Sequence, residues 1–143
     1  MSHYRTLLGF DYGSKRIGVA VGQELTRNAH GLRTLHNNDS GPDWPAISEL
    51  IQEWQPELLV VGMPHNMDDS PHPLTEQVEN FGKQLEQRYN LSVVWVDERL
   101  SSLEAEAQLA NSGKSRRHKR DKANIDKLAA AIILQTWLNS QAS

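Results

Sequence analysis

Three stretches of the chain carry carboxylates that their apolar surroundings do not explain. In GFDYGSKRIGVAVG, residues 9–22, Asp11 closes the run Leu7-Leu8-Gly9-Phe10. In VVWVDERL, residues 93–100, Asp97 and Glu98 close a second apolar run. In NIDKLAAAIILQTW, residues 124–137, helical spacing puts Asp126 on one face with Ala129, Ala130, Ile133 and Trp137, while Lys127 points away. Carboxylates directed toward an interior need a partner, because unpaired buried charge is costly. Three converging on one cleft would repel one another, and a divalent cation removes that repulsion. Mg2+ and Mn2+ favour oxygen ligands and keep several waters. Two such ions about 4 Å apart can activate a water and stabilise the leaving oxygen in phosphodiester cleavage.

Each of these residues also has a simpler reading. Asp11 alone fits a turn-forming Asx residue. Asp126 alone fits the positive end of a helix dipole, although its place on the apolar stripe weakens that account. Glu98 beside Arg99 fits a surface ion pair. Asp97 and Glu98 point to opposite faces of a strand, so at most one of them is a ligand. A basic segment precedes Asp126: Lys114, Arg116, Arg117, Lys119, Arg120 and Lys122, with His118 among them and only Asp121 opposing. Such a run is either a solvated connector or a contact for something anionic. The four tryptophans sit at core-like positions, and the six histidines show no metal-ligand spacing, with His65 and His72 reading as loop decoration. On residue pattern alone these alternatives stay open.

The elements that must position these groups are legible as periodicities. Residues 6–11 and 17–21 read as two strands joined by the turn Gly13-Ser14-Lys15-Arg16, and a third strand is expected near His30–His36. Residues 37–42 read as a loop. Trp44, Ile47, Leu50, Ile51 and Trp54 mark a helix stopped by Pro56. Leu58–Met63 reads as a strand covered on both faces. Leu74, Val78, Phe81 and Leu85 mark a second helix, and Val93–Asp97 a second buried, central strand. Ser101 and Glu104 form a capping box for a helix ending at Gly113. The last helix is expected from about Asn124 to Leu138. Three strands followed by β-α alternation predict a mixed sheet with helices on its faces and ligands near the carboxyl ends of its parallel strands.

The bulk numbers bound the rest. At 143 residues the chain fits one domain, and it is read as a single unit over 1–143. The absence of cysteine excludes disulfides and thiolate zinc sites and fits a cytoplasmic location. No apolar run is long enough to cross a membrane, and the N-terminal residues do not read as a signal peptide. A net charge of −3 argues against a generic polyanion binder and isolates the basic segment on an acidic body.

GFDYGSKRIGVAVG, LLVVGMPHNMDDS, VVWVDERLSS and DKLAAAIIL, in that order and spacing, resemble the YqgF (RuvX-like) family of Holliday junction resolvases and pre-16S rRNA nucleases over essentially the whole chain. The resemblance implies an α/β, ribonuclease H-like fold: a five-stranded mixed sheet of order 3-2-1-4-5 with helices on both faces. It implies a metal-dependent endonuclease whose catalytic, Mg2+- or Mn2+-binding residues are Asp11, Glu98 and Asp126. Gly22 and Asp69 depart from the family pattern without removing a ligand, and Ser101-Ser102 replace a threonine pair. On this reading Gly13 and Gly18 keep the backbone clear of a nucleic acid strand. Lys15, Arg16, Arg99, Lys114, Arg116, Arg117, Lys119 and Arg120 contact phosphate. The expected partner is structured RNA, with branched DNA as the alternative, engaged by a monomer or weak dimer without a membrane. Two rival functions are weaker. A non-catalytic nucleic-acid-binding module would not need all three acids. A sugar-kinase-like nucleotide site would need a second domain.

Overall fold

The computed structural model describes residues 4–64, 72–98 and 122–141. The elements in chain order are β1 (Thr6–Tyr12), β2 (Arg16–Gln23), β3 (Asn28–Asn38), β4 (Gly41–Pro42), α1 (Trp44–Trp54), β5 (Leu58–Met63), α2 (Thr75–Tyr89), β6 (Ser92–Asp97) and α3 (Lys122–Gln141). Among the described residues they build one sheet ordered β4-β3-β2-β1-β5-β6. The β1–β2 and β2–β3 pairings are antiparallel, whereas β1–β5 and β5–β6 are parallel. With the two-residue β4 set aside, this is the expected 3-2-1-4-5 order.

Alternation along β1 separates two cores. Leu8 and Phe10 face one side, where they pack with Ile47, Leu50, Val78, Phe81 and Leu85 of α1 and α2. Leu7 faces the other, with Val60, Val96, Ala130, Ile133, Leu134 and Leu138 beneath α3. By the same period of two, Gly9 and Asp11 lie on the α3 side. A full aliphatic layer is thus buried on each face, the arrangement expected when helices cover a sheet that contains parallel strands.

The helix ends follow local chemistry. The Asp43 side chain accepts the Ala46 N–H at 3.2 Å and caps α1, and Pro45 occupies its first turn. The helix closes at Gln55 in the left-handed region, directly before Pro56. Asn90 closes α2 in the same way. No described helix is long and apolar enough to cross a membrane.

Three expectations change. Residues 37–42 are not simply a loop: Asn37 and Asn38 extend β3 and pair with Pro42 and Gly41. The strand ending at Asp97 takes the edge position that the order 3-2-1-4-5 gives it, not the central one its apolar run suggested, and Trp95 on it is 41 % exposed instead of buried. Lys127 does not point away from the sheet. Its stem lies across Gly31 of β3, where a Cβ would come within 3.0 Å of Lys127 Cγ. The capping box at Ser101 and Glu104, together with the helix ending at Gly113, lies outside the described residues.

Candidate active site

The carboxyl ends of β1 and β6 and the first turns of α3 meet on one face. Asp11 follows Leu7 and Gly9 on the α3 side of β1 and is paired with Gly18 of β2. Gly18 is the place where the helix comes down onto the sheet. A Cβ there would overlap the Asp126 carbonyl oxygen and crowd the Lys127 nitrogen. Any larger residue would lift the start of α3, so glycine at 18 fixes the height of Asp126 above β2. This corrects the sequence-based role for Gly18, whose missing side chain makes room for the protein's own helix. A Cβ at Gly13 would likewise meet the Arg16 carbonyl oxygen at 2.8 Å, within the hairpin itself.

Asp11 and Glu98 lie on strands separated by β5. They reach each other because β5 carries Gly62 at that level. A Cβ on Gly62 would stand 2.8 Å from Glu98 Cγ and 2.6 Å from Ile133 Cδ1. The Glu98 side chain therefore passes over the backbone of Gly62 toward Asp11, and the two carboxyls share a hydrogen bond. Asp97, paired with Met63, falls on the opposite face by strand alternation, the side on which Trp95 covers Gly82 of α2. Between the two adjacent acids, Glu98 is the one on the face of Asp11 and Asp126.

The electrostatics follow from this crowding. Asp11 retains some exposure, but its carboxyl is closely surrounded by protein atoms. Burial raises its pKa well above the ordinary carboxylate range, the hydrogen bond to Glu98 raises it further, and so do the negative charges of Glu98 and Asp126. Asp126 is engaged from its other side, where Oδ2 accepts a hydrogen bond from Arg16 Nε at 2.6 Å. Among the described residues no three acidic or histidine side chains stand together at coordinating distance. The chemistry of the donor set nevertheless fits a hard divalent cation. Carboxylate oxygens converge, two of the carboxyls are hydrogen-bonded to each other, and a third is held by a guanidinium next to them.

The hairpin that carries Lys15 and Arg16 is pinned from β3. Gly13 N–H donates to Arg16 O at 2.9 Å, Asn37 N–H to Lys15 O at 2.9 Å, and Asn37 Nδ2 to Gly13 O at 2.7 Å. Asn37 is only 5 % exposed, the one buried polar residue among those described. Its polar side chain is thus spent on holding the turn beside Asp11. Lys15 is exposed on that turn, whereas Arg16 is committed to Asp126. Arg99, Lys114, Arg116, Arg117, Lys119 and Arg120 lie outside the described residues, so the expected phosphate contacts of that segment do too.

Sequence reasoning missed Asn37, Gly62 and the Arg16–Asp126 pair. Gly62 did leave a signal, a glycine interrupting the apolar run LLVVGM, since glycine inside a strand marks a close approach. The other two depend on pairings 24 and 110 residues apart, which no local pattern reveals.

Comparison with known proteins follows the same lines. A family model described as RuvX, Holliday junction resolvase, matches residues 5–140. A relative from Nitrosococcus oceani is 50 % identical over 139 residues, covering 96 % of this chain and 88 % of its own. One from Dechloromonas aromatica is 47 % identical over 135 residues, covering 94 % and 91 %. One from Yersinia enterocolitica is 44 % identical over 138 residues, covering 96 % and 97 %. All three carry the name "Putative pre-16S rRNA nuclease". Among solved structures, the fowlpox virus resolvase in complex with Holliday junction DNA aligns with a TM-score of 0.59 at 10 % identity, over 96 % of this chain and 99 % of its own. Thermus thermophilus RuvC with a Holliday junction substrate aligns with a TM-score of 0.53 at 14 % identity, over 96 % and 95 %. At these identities the structural matches speak for a shared fold.

Proposed function

The chain belongs to the RuvX family of Holliday junction resolvases, and from that premise we propose that it is a divalent-metal-dependent endonuclease whose site is formed by Asp11, Glu98 and Asp126. The observation that carries this reading is the hydrogen-bonded Asp11–Glu98 pair at the carboxyl ends of two parallel-sheet strands, with the charge of Asp126 close enough to raise Asp11 further. A structural role alone does not account for it. Like charges gathered at a sheet end lower stability, and here glycines at 18 and 62 leave out the side chains that would keep them apart.

Asp11, Glu98 and Asp126 would hold the cation, and Mg2+ or Mn2+ suits their oxygen donors. When bound, such an ion supplies Lewis acidity toward the phosphoryl oxygens and a more acidic water. The protein's own residues do the remaining work. Asp11, whose pKa is raised by its surroundings, would release its proton on becoming a ligand. Gly62 leaves the space through which Glu98 reaches inward. Asn37 holds the turn on which exposed Lys15 offers a cation to the phosphate backbone. Phosphate contacts of this kind position a strand without reading its sequence.

For the substrate, the names of the relatives support pre-16S rRNA, and on this reading the cut falls at its 5' end, in the cytoplasm. The family description supports four-way DNA as the second reading. Incubating purified protein with labelled pre-rRNA, a model four-way junction and single strands, each with Mg2+ or Mn2+, tests both. Cleavage of the pre-rRNA in preference to the junction is the expected result. Cleavage of none of them under any metal condition would overturn the enzymatic reading.

A further inference from the structure

Arg16 stands at the start of β2, on the sheet face that carries Asp11 and Gly18. Its Nε donates to Asp126 Oδ2 at 2.6 Å, and both side chains keep part of their surface open, 35 % and 24 %. Asp126 thus has two claims on it: a guanidinium on one side and, on the reading above, a cation site shared with Asp11 and Glu98 on the other. Asp126 does not reach coordinating distance with those two while Arg16 holds it. Arg16 likewise has two claims. It belongs to the exposed hairpin Gly13–Arg16, whose neighbour Lys15 faces solvent, and a guanidinium matches a phosphate as well as a carboxylate.

We propose that Arg16 is a positioning residue that is exchanged: it holds Asp126 while the cation site is empty and transfers to a substrate phosphate when Asp126 turns to the cation. The proposal rests on the metal-site reading and adds to it a coupling between cation and nucleic acid. Each ligand frees a partner for the other, so the two bind with positive cooperativity, and by linkage the coupling is reciprocal. Geometry supports exchange over a permanent strut. The pair is partly open to water, so breaking it does not strand a buried charge, and either side chain has a new partner of opposite charge ready to replace the old one.

Two binding measurements test it, neither of which reads activity. The first is Mn2+ titration of the protein alone, by calorimetry. Arg16→Gln removes the competitor for Asp126, so Mn2+ affinity is expected to rise about twofold to fivefold, the range of a partly exposed charge pair. Unchanged or weakened affinity in a folded Arg16→Gln protein would overturn the exchange and make Arg16 a strut that presents Asp126. No Mn2+ binding by the wild type would instead sink the metal-site reading beneath it.

The second is binding of a synthetic four-way DNA junction in chelator, where no cleavage occurs, across a salt series. Asp126→Asn frees Arg16 without touching it. Binding should tighten severalfold and the salt slope should steepen by about one unit, the mark of one added phosphate contact. The gain should vanish in the Arg16→Gln, Asp126→Asn double variant. A gain that persists in the double variant would come from the lost negative charge alone and would refute the proposal, as would equal salt slopes for wild type and Asp126→Asn.

Discussion

Gly62→Ala separates the needs of the site from those of the fold. The added Cβ would stand 2.6 Å from Ile133 Cδ1, 2.8 Å from Glu98 Cγ and 3.0 Å from Glu98 Oε1. Carbon atoms prefer about 3.5–4.0 Å, so neighbours must yield by roughly an ångström. Both crowded groups are side chains. Ile133 Cδ1 is the far end of a rotatable chain, and Glu98 can swing outward to solvent. Overpacking of this kind costs about 1–2 kcal/mol, near the low end for an inserted methyl. In a chain of this size that is a fall in Tm of about 3–6 °C. The site loses far more, because Glu98 relieves the clash by leaving the path to Asp11. If Glu98 acts from this position, cleavage should fall by at least about a hundredfold, the scale of losing a group that acts in the transition state. Gly18→Ala makes the opposite case. Its Cβ meets the backbone of α3, which cannot rotate away, so the loss should appear first in stability, at about 3 kcal/mol or more. Thermal melts and initial cleavage rates on both variants give the comparison. Gly62→Ala with wild-type cleavage, or with a Tm loss equal to that of Gly18→Ala, would refute the account of how Glu98 reaches the site.

Asp11→Asn should abolish cleavage and raise stability at neutral pH. The raised pKa of Asp11 means that the folded state holds a proton the unfolded state has released, so the wild type loses stability as pH rises above the ordinary aspartate value of 3.8, and the variant should not show that loss. Denaturant midpoints from pH 4 to 8 check this; parallel pH profiles would contradict it. Mg2+ or Mn2+ should raise the Tm of the wild type and leave the Asp11→Asn, Glu98→Gln, Asp126→Asn triple variant unmoved, since binding only the native state shifts the equilibrium. Asn37→Ala should cost about 1–3 kcal/mol by leaving Gly13 O without its donor and should weaken nucleic acid binding through a looser turn, with chemical denaturation and gel-shift titration as readouts. Replacing Arg116, Arg117, Lys119 and Arg120 with alanine should flatten the salt dependence of nucleic acid binding by a few units at most while leaving metal affinity in place; identical slopes would make that segment a solvated connector.

The succession of strands and helices was legible because each carries its own period, and because apolar runs such as Leu58–Met63 announce burial without tertiary information; the sheet order was implied by the family resemblance. The edge position of β6 followed from that order but not from its own residues. VVWVDE looks as apolar as a central strand, whereas among the described residues Ser92–Asp97 pairs with β5 alone and Trp95 is left 41 % exposed. The acidic residues stood out individually, since each breaks an apolar pattern. Their relation to one another did not, because it depends on what is missing between them: no side chain at Gly62, and none at Gly18 beneath α3. The Arg16–Asp126 pair spans 110 residues and leaves no trace in local periodicity. A glycine tells the reader that something comes close, and the fold tells what.

The most direct test of the central claim is initial-rate cleavage of labelled pre-16S RNA in Mg2+ by the wild type, the single variants Asp11→Asn, Glu98→Gln and Asp126→Asn, and the triple variant. If the three carboxylates act as one metal-binding site, each single change should cost nearly as much as the triple, because groups that work as a unit do not contribute additively. A triple variant that cleaves at the wild-type rate would show that the catalytic site lies elsewhere in the chain.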